Sequence, residues 1–229
     1  MFYYLGRKKA LAHLYPDPEG DTIVEPFAGS GAYSLHGIRW EKRVILNDLS
    51  ERVVRVWKYL QQTSSREILA LPQPEPGERL SSYQALADEE RWLIAYHANP
   101  GCDQNTDVVT AFNMWPNGRK YIAANLHKIR HWEIRHGEYK GLPDIEATWF
   151  VDPPYHRSGQ FYRVNTVDFI ELAAWCRTRR GSICVCEQEG ATWLPFQPLK
   201  ELTICGKLST REVYFEQGFH PVNVLDFFE

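Results

Sequence analysis

Ala147-Thr148-Trp149-Phe150-Val151-Asp152-Pro153-Pro154-Tyr155 is the stretch from which the rest of the chain can be read. Its first five residues predict a buried strand, closed by an acid, two prolines and a tyrosine. Open α/β sheets bind ligands at the carboxyl ends of their strands, so the tetrapeptide is expected at the lip of a crevice. Its chemistry suits an exocyclic amino nitrogen, whose lone pair is delocalised into a ring and attacks a methyl group only when acceptors draw it toward tetrahedral geometry. Asp152 offers a carboxylate. Pro153 offers a carbonyl fixed in place, because consecutive prolines lock φ and hold the preceding residue extended. Tyr155 offers a ring on which a base can stack. Taken alone, Asp-Pro-Pro-Tyr is equally well a simple turn.

A second signal in the same αβ frame argues for more than a turn. Val24-Glu25-Pro26-Phe27-Ala28-Gly29-Ser30-Gly31 follows an apolar run, so a strand predicted over Asp21 to Glu25 enters a glycine turn and then a short helix predicted over Ala32 to Ile38. Arg43 to Asn47 reads as the second strand. It delivers Asp48, seventeen residues after Gly31, to the position where nucleoside-binding α/β folds carry a ribose-binding carboxylate. Val53, Val54, Trp57 and Leu60 mark the apolar stripe of the next helix. Trp132 to Tyr139 predicts a strand ending on Glu138 and Tyr139, which face the crevice with Asp48. Val167 to Arg179 is an amphipathic helix with Phe169, Ile170, Leu172, Ala173 and Trp175 inward. Ser182 to Cys186, Leu202 to Cys205, Glu212 to Glu216 and Val222 to Phe228 complete the strands, the last three antiparallel. A nicotinamide-binding GxGxxG reading is disfavoured by Ser34 in place of the third small residue.

With 229 residues, 44% of them hydrophobic, the chain is long enough for one α/β domain with an insertion. No apolar run reaches membrane-spanning length and no leader is evident, so the expected location is cytoplasmic, without membrane contact. The net charge of −3 argues against a protein that coats nucleic acid, and any such contact must use local basic patches. Cys102, Cys176, Cys184, Cys186 and Cys205 show no CxxC pair and read as free thiols, with Cys184 and Cys186 on one strand face. His127 and His131 stand at i and i+4, but with His136 they lack a third ligand at suitable spacing, and no metal is expected.

Residues 61–131 interrupt the alternation of strand and helix. Pro72, Pro74, Pro76 and Gly77 mark a loop, a helix is predicted near Tyr83 to Ala98, and another from Tyr121 to His131. Asn113, Trp115, Asn117, Arg119, Lys120, Tyr121, Lys128 and Arg130 interleave bases, amides and aromatics, which suits either a nucleic-acid contact surface or a solvated helix face. Asn117-Gly118 is a turn signal that would project Arg119 from a loop.

These residues, in this order, resemble the Dam-like (D12 class) DNA adenine N6-methyltransferases: an N-terminal glycine-lysine motif at Tyr4 to Lys8, the FxGxG turn at Phe27 to Gly31, a recognition insert, then DPPY. The resemblance spans most of the chain. It implies a Rossmann-like, seven-stranded methyltransferase sheet with a small, largely helical recognition insertion, residues 1–60 and 132–229 being catalytic and 61–131 contacting DNA. The implied donor is S-adenosyl-L-methionine and the implied substrate is double-stranded DNA with the target base flipped. A restriction endonuclease is a candidate protein partner. In that frame Asp152, Pro153, Pro154, Tyr155 and Lys8 are the catalytic set. Tyr4, Lys8, Glu25, Phe27, Gly29, Gly31, Asp48, Glu138, Tyr139 and Asp152 would hold the cofactor, and Asn113, Asn117, Arg119, Lys120, Lys128 and Arg130 the DNA. Methylation of cytosine N4 or an RNA base, and a noncatalytic binding module of the same fold, are the alternatives.

Overall fold

The structure is a computed structural model that describes residues 1–4, 6, 8–99, 107–156, 167–204 and 207–218. Cys102, Cys205 and the strand expected over Val222 to Phe228 lie outside the described residues. Seven strands form one sheet: β1 (Thr22–Glu25), β2 (Arg43–Asp48), β3 (Glu133–His136), β4 (Ala147–Val151), β5 (Gly181–Gln188), β6 (Gln197–Ile204) and β7 (Lys207–Gln217). Their order is β3-β2-β1-β4-β5-β7-β6. The first five are parallel, and β7 runs antiparallel between β5 and β6. Among the described residues five α-helices accompany them: α1 (Glu51–Gln62), α2 (Ser65–Ala70), α3 (Asp88–Ala98), α4 (Trp115–Asn125) and α5 (Phe169–Arg177).

Strand residues alternate between two apolar layers, as a sheet covered on both faces requires. Ile23, Val44, Leu46, Phe150, Cys184 and Cys186 face one layer, whereas Val24, Ile45, Trp149, Val151, Ile183 and Val185 face the other with Leu172, Ala173 and Cys176 of α5. The thiols of Cys176, Cys184 and Cys186 are free and buried. Residues 61–131 bury Ile68, Leu80, Leu93, Ile94, Trp115 and Ile122 in the first of these layers. Among the described residues no helix is long and apolar enough to cross a membrane.

Several local expectations need correction. The helix expected over Ala32 to Ile38 is a succession of turns, because after one helical hydrogen bond, Leu35 N–H to the Gly31 carbonyl, the chain reaches Gly37 at φ 56°. The helix near Tyr83 begins only at Asp88, where Glu90 reaches back to accept from the Ala87 N–H at 2.9 Å. The Tyr121 to His131 helix starts earlier and stops earlier, spanning Trp115–Asn125 with Pro116 in its first turn. Asn117-Gly118 is therefore helix, not turn. Gly118 is needed for close packing, since a Cβ there would lie 2.1 Å from His97 Nδ1. Ile170, expected inward, is 84% exposed.

Candidate active site

Strand register brings the motifs together. Val24 pairs with Trp149 and Glu25 with Leu46, so Phe27, Asp48 and Asp152 all leave the sheet at one edge. On the far side of β2, Asp48 pairs with His136, which brings in Glu138 and Tyr139.

The glycine turn is tied down from two sides. The Gly29 N–H donates to Asp48 Oδ2 at 2.8 Å, while Asp48 Oδ1 accepts from the Ser50 N–H at 2.8 Å. Trp57 Nε1 donates to the Gly29 carbonyl at 2.9 Å. Gly29 has φ 44° and a Cβ on it would meet the Tyr4 ring at 2.9 Å, so this position needs glycine for backbone and for space. Gly31, at φ 58°, is packed against Trp57 and Leu46. Beside the turn, Phe27, Leu49, Glu138 and Tyr139 line a cleft of about 190 Å³ with Lys140 and Asp168. The Phe27 and Tyr139 rings lie 5.3 Å apart in its wall, and the buried Tyr139 hydroxyl has no hydrogen-bond partner among the described residues.

Glu25 is buried at the foot of the turn and accepts from the Ser34 N–H at 2.9 Å. Burial outweighs that bond and pushes its carboxyl up to about 7. Between its ordinary value and 7 the fold therefore holds a proton that the unfolded chain releases, so this group's contribution falls as pH rises through that window. Glu25→Gln is expected to gain about 3 kcal/mol relative to the parent between pH 4 and pH 8, measured by urea unfolding. A pH-independent difference would refute the raised ionisation.

The Asp152-Pro153-Pro154-Tyr155 motif is organised by Lys8, which is 4% exposed. Its ammonium donates to Asp152 Oδ1 at 2.7 Å and to the Gly6 carbonyl at 2.8 Å, and lies 4.6 Å from the centre of the Tyr155 ring. Burial pushes the Asp152 carboxyl up to about 6 against the pull of Lys8. Two acids that the sequence reading did not single out complete the site. Glu212 of β7 accepts from the Tyr15 hydroxyl at 2.8 Å and from the Tyr155 hydroxyl, with Lys8 Nζ at 3.8 Å. Glu187, at the end of β5, accepts from the His156 N–H at 3.1 Å and from Trp193 Nε1 at 3.0 Å, which ties down the exit of the motif.

The six residues expected to contact DNA divide. Asn113 bonds the Pro74 carbonyl and the Trp115 N–H, and Arg130 bonds the carbonyls of Gln61 and Thr63 at the end of α1. Arg119 is not on a loop. From α4 it donates to the Leu69 and Leu71 carbonyls at 2.8 and 3.2 Å, closing the end of α2. Asn117 and Lys120 are exposed on α4, and Lys128 lies 5.7 Å from the Trp40 ring. Beside them Lys9 covers Tyr121 at 4.5 Å, over a cleft of about 230 Å³ that reaches Ser30 and His36. Among the described residues no group of three His, Cys, Asp or Glu side chains could hold a metal.

A parallel sheet extended by an antiparallel β7 between β5 and β6, with the glycine turn and DPPY on adjacent strands, is the Rossmann-like sheet of the methyltransferase fold. Residues 4–89 match the family model of the D12 class N6 adenine-specific DNA methyltransferases. No curated protein matches the chain significantly. Among solved structures, an rRNA methyltransferase, AviRa, from Streptomyces viridochromogenes is 16% identical, with 90% of this chain and 80% of that one covered at a TM-score of 0.38. A conserved hypothetical protein from Streptococcus pyogenes is 14% identical, with 94% and 98% covered at a TM-score of 0.38. Likenesses this loose carry no weight in the functional argument.

Proposed function

We propose that the protein transfers a methyl group from S-adenosyl-L-methionine to N6 of adenine in DNA. The observation that carries this reading is the ion pair of the buried Lys8 with the partly exposed Asp152 at the end of β4, beside the glycine turn of β1. The cofactor, when bound, supplies an electrophilic methyl group. The residues present fit it: the cleft walled by the packed rings of Phe27 and Tyr139 offers an aromatic face to an adenine ring. Asp48, whose oxygens accept from the Gly29 and Ser50 N–H groups at the end of β2, is the candidate carboxylate for the ribose hydroxyls.

Asp152 and the Pro153 carbonyl accept the two N–H groups of the target amine, and Asp152 takes the proton released after transfer. Its side chain is 21% exposed, which leaves the amine an approach. The Tyr155 ring stacks on the base, and because a paired amine cannot reach Asp152, the base is flipped out. The N6-adenine assignment draws on the D12 match over residues 4–89. The test is nucleoside analysis of duplex DNA, single-stranded DNA and RNA incubated with enzyme and labelled donor. N6-methyladenine in duplex DNA is expected, whereas label only in N4-methylcytosine or only in RNA would overturn the reading.

DNA contact is assigned to the exposed Asn117, Lys120 and Tyr121 of α4 with Lys9 and Lys128. Lys120→Ala should weaken cognate and scrambled duplexes alike and flatten the salt dependence by about one unit. Arg119→Ala should instead lower stability by about 1–3 kcal/mol, because it leaves carbonyls of α2 unpaired. An Arg119→Ala protein of unchanged stability that loses only cognate affinity would restore Arg119 as a base reader.

A further inference from the structure

Glu212 is a buried acid that the transfer scheme above does not use. It lies on β7 opposite Gln188 of β5, and because β7 runs against its neighbour, its beginning reaches the edge where the parallel strands end. It is 4% exposed, while Glu216, on the same face of the strand, is solvent-exposed. A carboxylate in such a place is costly unless it is paired and hydrogen-bonded. Here Oε1 alone takes both tyrosine hydroxyls, Tyr15 at 2.8 Å and Tyr155, and faces the Lys8 ammonium at 3.8 Å. Tyr15 is itself wedged edge-on against Phe150 of β4, at 5.1 Å between ring centres. Glu212 thus grips one end of the stacking ring and one side of the lysine that holds the acceptor carboxylate.

We propose that Glu212 is a positioning residue for methyl transfer, fixing the plane of Tyr155 and the direction of Lys8 so that base and acceptor carboxylate meet in one frame. The proposal rests on the functional reading given above. It assigns the Tyr155 hydroxyl a task that stacking alone would not require: an unanchored ring could swing about its Cβ, and near-attack geometry tolerates little misplacement. It also explains the location of an acid in β7, a strand outside every motif of the site.

The test compares Glu212→Gln, Glu212→Asp, Tyr155→Phe and Tyr15→Phe in the full-length enzyme. Glu212→Gln is expected to lower kcat at least tenfold, with the cofactor Kd changed less than threefold. Tyr155→Phe should reproduce most of that loss, and adding it to Glu212→Gln should cost little more, as for two ends of one bond. Glu212→Asp should recover part of the rate, and Tyr15→Phe should be nearly silent in kcat. The acid limb of the pH profile supplies a readout that packing would not move. Asp152 faces Lys8, Glu212, Glu187, Glu25, Cys186 and the hydroxyls of Tyr15 and Tyr155, and Glu212 is among the charges that push its ionisation up. In Glu212→Gln the limb should therefore move to lower pH. Wild-type kcat in Glu212→Gln, or a Tyr15→Phe loss as large as that of Glu212→Gln, overturns the proposal. If Glu212→Gln does not fold, an unchanged kcat in Tyr155→Phe overturns it as well. Failure of the parent enzyme to methylate any nucleic acid would instead remove the functional reading, and this inference with it.

Discussion

Asp152→Ala is expected to lower kcat at least a hundredfold, while cofactor affinity falls far less. The carboxylate's bond to the target amine strengthens as the nitrogen becomes tetrahedral, so its loss is felt in the transition state more than in the bound complex. The fold should survive the change, because Lys8 keeps the Gly6 carbonyl at 2.8 Å and Glu212 at 3.8 Å. A single well-placed acceptor is worth about 10² to 10³ in rate, so a folded mutant with more than about a tenth of the parent kcat would exclude this role. In the parent enzyme the rate should fall as pH drops through about 6, where Asp152 takes up a proton and can no longer receive the one released in transfer.

Lys8→Ala should have the largest effect on the molecule as a whole. Removing the cation leaves Asp152 and Glu212 facing each other in a buried space, and breaking a buried pair costs about 3–5 kcal/mol. Lys8 is what pulls the Asp152 carboxyl down toward its ordinary value, so its removal should raise that ionisation above 6. The sign then follows. A carboxyl raised further in the folded state destabilises it most at pH values where the unfolded chain has already lost the proton, so the defect should ease as pH falls toward 5. Urea unfolding at pH 5 and pH 8 reads this directly, and equal losses at both would show that Lys8 acts by packing alone. The acid limb of any residual activity should shift upward, opposite in direction to that of Glu212→Gln.

Much of the parallel half of the sheet was legible because each strand is a short apolar run closed by a polar turn. Ala147–Val151 was bounded by the proline pair, and Asp48 was found by counting from the glycine turn. The insertion was harder for a definite reason. Asn117-Gly118 has the composition of a turn, but Gly118 serves α4 as the point where α3 comes close, and tertiary packing overrides local preference there. Arg119 and Arg130 looked like ligands for phosphate or bases because sequence cannot show that the carbonyl ends of α2 and α1 lie within their reach. Glu212 was invisible for a similar reason. In Arg211-Glu212-Val213-Tyr214 the alternation of a strand suggests that acids face water, and only the reversal of β7 places this one beside Lys8.

The bond between Tyr15 and Glu212 joins residues 197 positions apart. Contacts of such span close the largest loop and form only after most chain entropy has been lost. During synthesis the glycine turn, the lysine and DPPY all emerge well before β7, yet Lys8 and Tyr155 lack their Glu212 partner until that strand inserts. An incomplete chain can therefore carry every recognisable motif of the enzyme and still lack the anchored ring and the shared lysine. Under the proposed function, competence for methyl transfer is then a property of the finished fold.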